Sequence, residues 1–272
     1  MSTFAGVQLS ALGDTSDAGK WLIHGPQGAG KSTLAASIAE LGPTLYIDLP
    51  GEYGTRSFAG APHADNIQVV RPDSVTAFDD IYWELAKGDH PFKAVVLDSM
   101  TALQKMTMRF MLGHSETAVR EIEKNTAPAD QRTWGQTLNV MTDTATFWYG
   151  LANSNRPKPI HVVLISQTKV TEDELGSTGT HVPDVQKGAL PILMASCDYA
   201  LYCDFESDYD DNGEMITKHI VRFGSSSTYR IKARVPVNMR GKIPSVMGRT
   251  KPLSLVQLSK LLKIGGIPAT SK

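Results

Sequence analysis

The sequence predicts a doubly wound α/β fold: a mostly parallel sheet covered by helices, with an antiparallel extension towards the C-terminus. Three observations carry this expectation. Short apolar runs alternate with helix-like stretches over the first two thirds of the chain. Two of these runs, Ala94-Val95-Val96-Leu97 and His161-Val162-Val163-Leu164-Ile165, are apolar almost throughout, as parallel strands covered on both faces should be. The third is a glycine-rich turn, Gly25 to Ser32, between a strand and a helix.

Each element has a local reason. Trp21-Leu22-Ile23 reads as the first strand and Thr33 to Leu41 as the helix after the turn. Thr44 to Leu49 and Ile67 to Val70 read as the second and third strands. Asp73 or Ser74 is placed to cap a helix running to about Lys87, where Gly88 ends it. A helix with a methionine-rich face follows Asp98 and ends near Gly113. Further on, Trp134, Leu138 and Met141 share a helical face, followed by Phe147 and Trp148, and this stripe reads as core. Tyr199 to Phe205, Met215 to Phe223 and Tyr229 to Val235 read as strands joined by short turns, which gives the antiparallel extension. Asp208, Asp210, Asn212 and Gly213 match the first half of a calcium loop. Its twelfth position is His219 and not a carboxylate, so Asp211-Asn212-Gly213 reads as a hairpin turn.

The turn carries the chemistry. Gly25-Pro26-Gln27-Gly28-Ala29-Gly30-Lys31-Ser32 fits a phosphate-binding loop, with Thr33 opening the helix behind it. Gly28 and Gly30 can take backbone angles closed to other residues, so the loop can wrap an anion. Its N–H groups and the helix N-terminus then face the phosphates. Lys31 is expected to reach the β- and γ-phosphates, and the Ser32 hydroxyl to bind Mg²⁺, which makes ATP and Mg²⁺ the expected ligands. Asp98 ends an apolar strand where a carboxylate holds Mg²⁺ through water, although Asp-Ser-Met-Thr also suits a helix cap. Gln167 ends the strand from His161, where an amide can contact the γ-phosphate or the attacking water.

Composition sets the limits. A chain of 272 residues can bury a full core. It shows no apolar run long enough to cross a bilayer and no signal-peptide pattern, so no membrane partner is expected and a cytoplasmic location is. Cys197 and Cys203 read as reduced, structural thiols. The net charge of −1 hides an asymmetry. After Glu214 the chain carries twelve Lys and Arg residues and no acid, which leaves −13 for residues 1–214. A one-signed segment of this kind points to a polyanion, nucleic acid first, or to the acidic body of a neighbouring subunit.

The order of these residues resembles the RecA-type ATPase core: phosphate loop, Asp48 ending the second strand, Asp98 ending a buried strand, then Ile165-Ser166-Gln167-Thr168. Asp130 to Gly135, the Ser-Gln-Thr-Lys strand end and Ile231-Lys232-Ala233-Arg234-Val235-Pro236 are similar to small phage-encoded nucleotide-binding proteins of RecA type, implicated in single-strand annealing and recombination. The resemblance implies a RecA-like P-loop NTPase core within residues 1–240 (about 20–240), followed by a basic tail, 241–272, with a short helix. It implies ATP hydrolysis, with a glutamate after the second strand activating water; Glu52 is the candidate and Asp48 the alternative. Lys232 and Arg234 match a Lys-x-Arg element that reaches the γ-phosphate of a neighbouring subunit, and their alternation puts both on one strand face. Lys31, Glu52, Gln167, Lys232 and Arg234 are thus the implied catalytic set. The implied partners are single-stranded DNA, further copies in a ring or filament with ATP sites at subunit interfaces, and a single-strand-binding protein; the compartment is then the host cytoplasm. The polar loop from Thr168 to Lys187 lies where such proteins keep DNA-contacting loops and is expected to be mobile. Its acids (Glu172, Asp173, Glu174, Asp184) leave most of the electrostatics to the tail. A DNA-translocating motor of helicase or packaging type, and a nucleotide-gated regulatory or scaffold protein, are the rival readings.

Overall fold

A computed structural model describes residues 3–5, 7–8, 18–113, 129–171, 179–210, 212–224, 226–234, 246–248 and 254–262. Strands β1 (Lys20–His24), β2 (Thr44–Asp48), β3 (Ile67–Val70), β4 (Ala94–Asp98) and β5 (His161–Ser166) alternate with helices α1 (Lys31–Ala36), α2 (Val75–Lys87), α3 (Met100–Met111) and α4 (Gln131–Gly150). A small hairpin, β6 (Thr168–Thr171) and β7 (Thr180–Pro183), precedes α5 (Leu190–Ser196). Then come β8 (Tyr199–Tyr209), β9 (Met215–Arg222), β10 (Lys232–Ala233), β11 (Val246–Gly248) and α6 (Leu255–Leu262). The main sheet runs β11-β9-β8-β1-β5-β4-β2-β3, with β10 also on β8. From β8 to β3 every pairing is parallel. β9 and β10 join β8 antiparallel, and β11 joins β9 in the same way. The expected parallel sheet with an antiparallel extension is therefore what the chain forms.

Strand alternation divides the core in two. In β1, Leu22 faces one layer and Ile23 the other. Leu22, Ile47, Leu97 and Leu164 pack against α2, α3, α4 and α5 through Phe78, Leu103, Met141, Trp148 and Leu193. Ile23, Tyr46, Val96 and Ile165 pack against Leu34 and Ala35 of α1 and Leu255 and Leu258 of α6. The cap signals work as read: the Ser74 hydroxyl accepts from the Ala77 N–H at 3.2 Å, and Gly88 closes α2 at φ 81°.

Several expectations need correction. The helix expected over 33–41 changes at Ser37 into a 3₁₀ turn, Ser37–Leu41. The Ser37 hydroxyl donates to the Leu34 carbonyl at 2.5 Å and accepts from the Leu255 N–H at 2.8 Å, while Ser254 donates to Glu40. The short helix expected in the tail is thereby docked on the main core. Trp134 and Phe147 are not core: they are 48% and 52% exposed, whereas Met141 and Trp148 are buried. Phe147 cannot share the inward face with Trp148 beside it, and Trp134 lies in the first turn of α4. The Thr168–Lys187 stretch is not an irregular loop throughout, because β6 and β7 pair over Thr168–Thr171 and Thr180–Pro183. Glu172, Asp173 and Glu174 lie outside the described residues. The strand expected over 229–235 shrinks to β10, because Tyr229 bridges His181 and the Arg230 N–H donates to the His181 carbonyl. Both cysteines are buried thiols, and burial pushes the Cys197 thiol up to about 12.

Two buried histidines give a testable pH dependence. Burial holds His24 and His161 at about 4, and His161 Nδ1 accepts from the Gly19 N–H at 2.9 Å. A folded-state value below the unfolded one means that the unfolded chain takes up the proton first. Stability is therefore full above about pH 6.5 and falls between there and pH 4, by on the order of 3 kcal/mol for each histidine. Denaturant melts from pH 8 to pH 4 should show this loss, and His161→Asn should flatten part of it.

Candidate active site

The turn after β1 is shaped from two sides. Gly25 sits at φ 154°, and a Cβ there would lie 2.1 Å from the Cys203 carbonyl of β8, so only glycine fits. Gly28 and Gly30 both take φ 78°, the left-handed region that glycine tolerates. Gly25, Pro26 and Ala29 form the back of the turn: Ala29 is buried, and the Pro26 carbonyl accepts from the Ala29 N–H and from Lys31 Nζ at 2.8 Å. Gln27, Gly28, Gly30, Lys31, Ser32 and Thr33 face a cavity of about 320 Å³. Its other walls are Glu52, Gly54, Ser57, Asp98, Gln167 and His219.

One corner suits a hard cation. The Ser32 hydroxyl donates to Asp98 Oδ2 at 2.7 Å, and Tyr46 donates to the same oxygen at 2.6 Å. Asp98 is 2% exposed; burial raises its carboxyl, and the two hydrogen bonds work against that rise. Burial, then the Asp98 charge, pushes the Tyr46 phenol well up, so Tyr46 stays a donor. The cap role is taken by the next residue, since the Ser99 hydroxyl accepts from the Ala102 N–H at 3.1 Å, which leaves Asp98 to Ser32. A hydroxyl beside a carboxylate is an oxygen donor set that fits Mg²⁺. Space for an ion is kept by Gly54, where a Cβ would lie 2.6 Å from Asp98 Oδ2 and 2.8 Å from Ser32 Oγ.

The other corner joins three of the expected catalytic residues. Gln167 Nε2 donates to Glu52 Oε2 at 3.2 Å, and Gln167 Oε1 accepts from Lys31 Nζ at 3.1 Å. The second Glu52 oxygen accepts from Ser99 at 2.5 Å. Burial lowers the Lys31 ammonium, with the Asp98 and Glu52 charges opposing. Asp48 is turned elsewhere: its Oδ2 accepts from Arg71 Nε at 3.1 Å and from Thr55 at 3.4 Å. Glu52, and not Asp48, thus lines the cavity. Tyr53, between Glu52 and Gly54, stands at φ 48°, a sharp reversal for a residue with a side chain.

Lys232 and Arg234 are not brought to this cavity's described lining. Lys232 Nζ donates to the carbonyls of Met194, Ala195 and Cys197, and Arg234 donates to the Ala195 carbonyl and to Asp198 at 2.7 Å. Both therefore reach the same helix end, as their shared strand face requires, but they cap the C-terminus of α5 and are not free side chains. Sequence reasoning passed over Tyr46, Gly54, Ser99 and His219. Ser99 alone had a signal, as a hydroxyl before a helix; the others are ordinary residues of strands and turns.

Two substitutions test this geometry. Gly54→Ala should weaken Mg²⁺-dependent nucleotide binding about tenfold or more and leave Mg²⁺-free binding less affected, read by titration with and without a chelator. Lys232→Ala should lower Tm by roughly 2–4 °C through loss of about 1 kcal/mol at the α5 terminus. Unchanged Tm with lost turnover would move Lys232 from a cap to a catalytic part.

Among described residues no helix is long and apolar enough to cross a membrane. No curated protein matches the chain. A family model described as an AAA domain matches residues 18–235. That span begins just before β1 and takes in the phosphate loop, Glu52, Asp98 and Gln167, so the chain belongs to the AAA domain family of P-loop NTPases.

Proposed function

We propose that the protein hydrolyses ATP with Mg²⁺ and uses the cycle to control the grip of a homo-oligomer on single-stranded DNA, in the manner of phage annealing and recombination proteins of RecA type. The observation that carries hydrolysis is the Gln167 amide, which links the phosphate-loop lysine to the only carboxylate positioned as a base among the described residues of the cavity. Lys31 stabilises charge on the terminal phosphates. Ser32 and Asp98 hold Mg²⁺, which neutralises charge on phosphate oxygens when bound. Glu52 accepts a proton from the attacking water, oriented by Ser99 and Gln167. Gln167 exchanges its contacts with Lys31 and Glu52 for contacts with the γ-phosphate, and so registers its presence.

The DNA half of the proposal rests on charge. Of the twelve cations after Glu214, Lys218 pairs with Asp208, Arg222 with Asp204 and Glu206, and Arg234 with Asp198; Lys232 caps α5, and Arg230 is exposed. Lys260 is exposed on α6. Arg240, Lys242, Arg249, Lys251, Lys263 and Lys272 lie outside the described residues and supply, with Lys260, the positive field for a polyanion.

Glu52→Gln should lower ATP turnover about 10²–10⁴-fold and keep ATP binding, because a general base acts on the chemical step. Equal turnover would remove Glu52 as the base. Affinity for single-stranded DNA should fall steeply with salt, and neutralising Arg240, Lys242, Arg249 and Lys251 should flatten the slope by about one for each lost phosphate contact. No DNA binding at low salt would favour the regulatory reading, and ATP-driven strand displacement would favour a motor.

A further inference from the structure

The phosphate loop, the segment after β2 and the ends of β4 and β5 account for a triphosphate and its metal. One residue of the cavity belongs to none of these: His219, in the middle of β9. In the antiparallel ladder it stands opposite Phe205 of β8, and directly opposed residues share a face of the sheet. Which face is fixed two residues along. The pair Cys203 and Val221 is buried in the cluster that contains Ala29 of the phosphate loop and Leu34 of α1. Phe205 and His219 thus project on the phosphate-loop side. They also lie past the end of β1, whose pairing with β8 stops at His24 opposite Tyr202.

These two side chains have little to do inside the fold. Phe205 is 46% exposed, although the same strand buries Tyr199, Leu201 and Cys203 on that face. His219 Nδ1 is shut off from solvent and has no hydrogen-bond partner among the described residues. An exposed aromatic ring directly opposite a histidine that lines the phosphate cavity and has an unsatisfied ring nitrogen matches the two needs of a nucleoside: a surface for the base and a hydrogen bond for its polar edge or ribose.

We propose that the Phe205–His219 pair is the nucleoside platform of this site: the base stacks on Phe205, and His219 Nδ1 hydrogen-bonds the nucleoside. The inference rests on the nucleotide reading above and adds to it that the antiparallel extension, and not the phosphate loop, lets the protein tell a nucleoside triphosphate from bare polyphosphate.

The test compares MgATP with magnesium tripolyphosphate, which carries the phosphates without the nucleoside, by calorimetric titration of the full chain. Wild type should bind MgATP more tightly than tripolyphosphate. Phe205→Ala should lose roughly five- to hundredfold in MgATP affinity, the range for removing one stacking partner, and His219→Ala about two- to tenfold, that of one hydrogen bond, each with tripolyphosphate affinity unchanged. Phe205→Trp should restore MgATP affinity and show fluorescence quenched by MgATP but not by tripolyphosphate. Variants that bind MgATP like wild type, or that lose both ligands in parallel, would overturn the platform and leave the phosphate site standing. If wild type binds neither ligand, the nucleotide reading itself falls, and the platform with it.

Discussion

Lys31 is only 6% exposed, and the site is arranged around that fact. A buried unpaired cation is costly, so its surroundings must supply acceptors and negative charge. The Pro26 carbonyl supplies one acceptor from within the turn, which fixes the path of the loop. The Gln167 amide supplies another from the end of β5. Asp98 and Glu52 supply charge from the ends of β4 and of the segment after β2. These groups are far apart in sequence and meet because β1, β5, β4 and β2 are parallel neighbours whose C-terminal ends share one edge of the sheet.

Neighbouring residues divide the work that one residue could not do alone. Asp98 and Ser99 follow each other at the end of β4. Ser99 caps α3 and also donates to Glu52, while Asp98 receives Ser32 and Tyr46. Asp48 ends the adjacent strand, and Arg71 and Thr55 hold it, so its charge anchors the segment that follows. That segment then reverses at Tyr53 and presents Glu52 and Gly54 to the cavity, one as a carboxylate and one as an absence of side chain.

How much of this the sequence discloses depends on range. The phosphate loop, the wholly apolar strands and the Ser74 and Gly88 caps are set by residues within a few positions of one another, and they read correctly. Asp98 and Gln167 were legible because a polar residue at the end of an apolar strand has few other reasons to be there. Which of Glu52 and Asp48 lines the cavity was not decidable locally, because Arg71 holds Asp48 elsewhere and no spacing rule connects the two. Trp134 and Phe147 were misassigned to the core for a related reason: a periodic stripe shows which residues share a face, but not how far neighbouring elements cover it. The capping role of Lys232 was equally hidden, since the carbonyls it satisfies belong to a helix more than thirty residues earlier.

The same long-range logic separates the two halves of the functional reading. Gln167 is tied to Lys31 and Glu52 by its side chain and to the hairpin by its main chain. Its N–H donates to Thr101, its carbonyl accepts from the Asp184 N–H at the end of β7, and Thr101 also donates to the Asp184 carbonyl. Lys169 closes the hairpin onto Asp184 at 3.2 Å, so one of the acids that opposed a DNA role for this region is already neutralised. The Gln167 main chain thus joins the cavity to the end of the hairpin, through hydrogen bonds to Thr101 at 3.0 Å and from the Asp184 N–H at 2.8 Å. The cations of β8's partners, by contrast, are spent on the fold: Lys218 and Arg222 on the β8 carboxylates, and Lys232 and Arg234 around the end of α5. Of the remaining cations after Glu214, Arg230 and Lys260 are exposed, and six more lie outside the described residues.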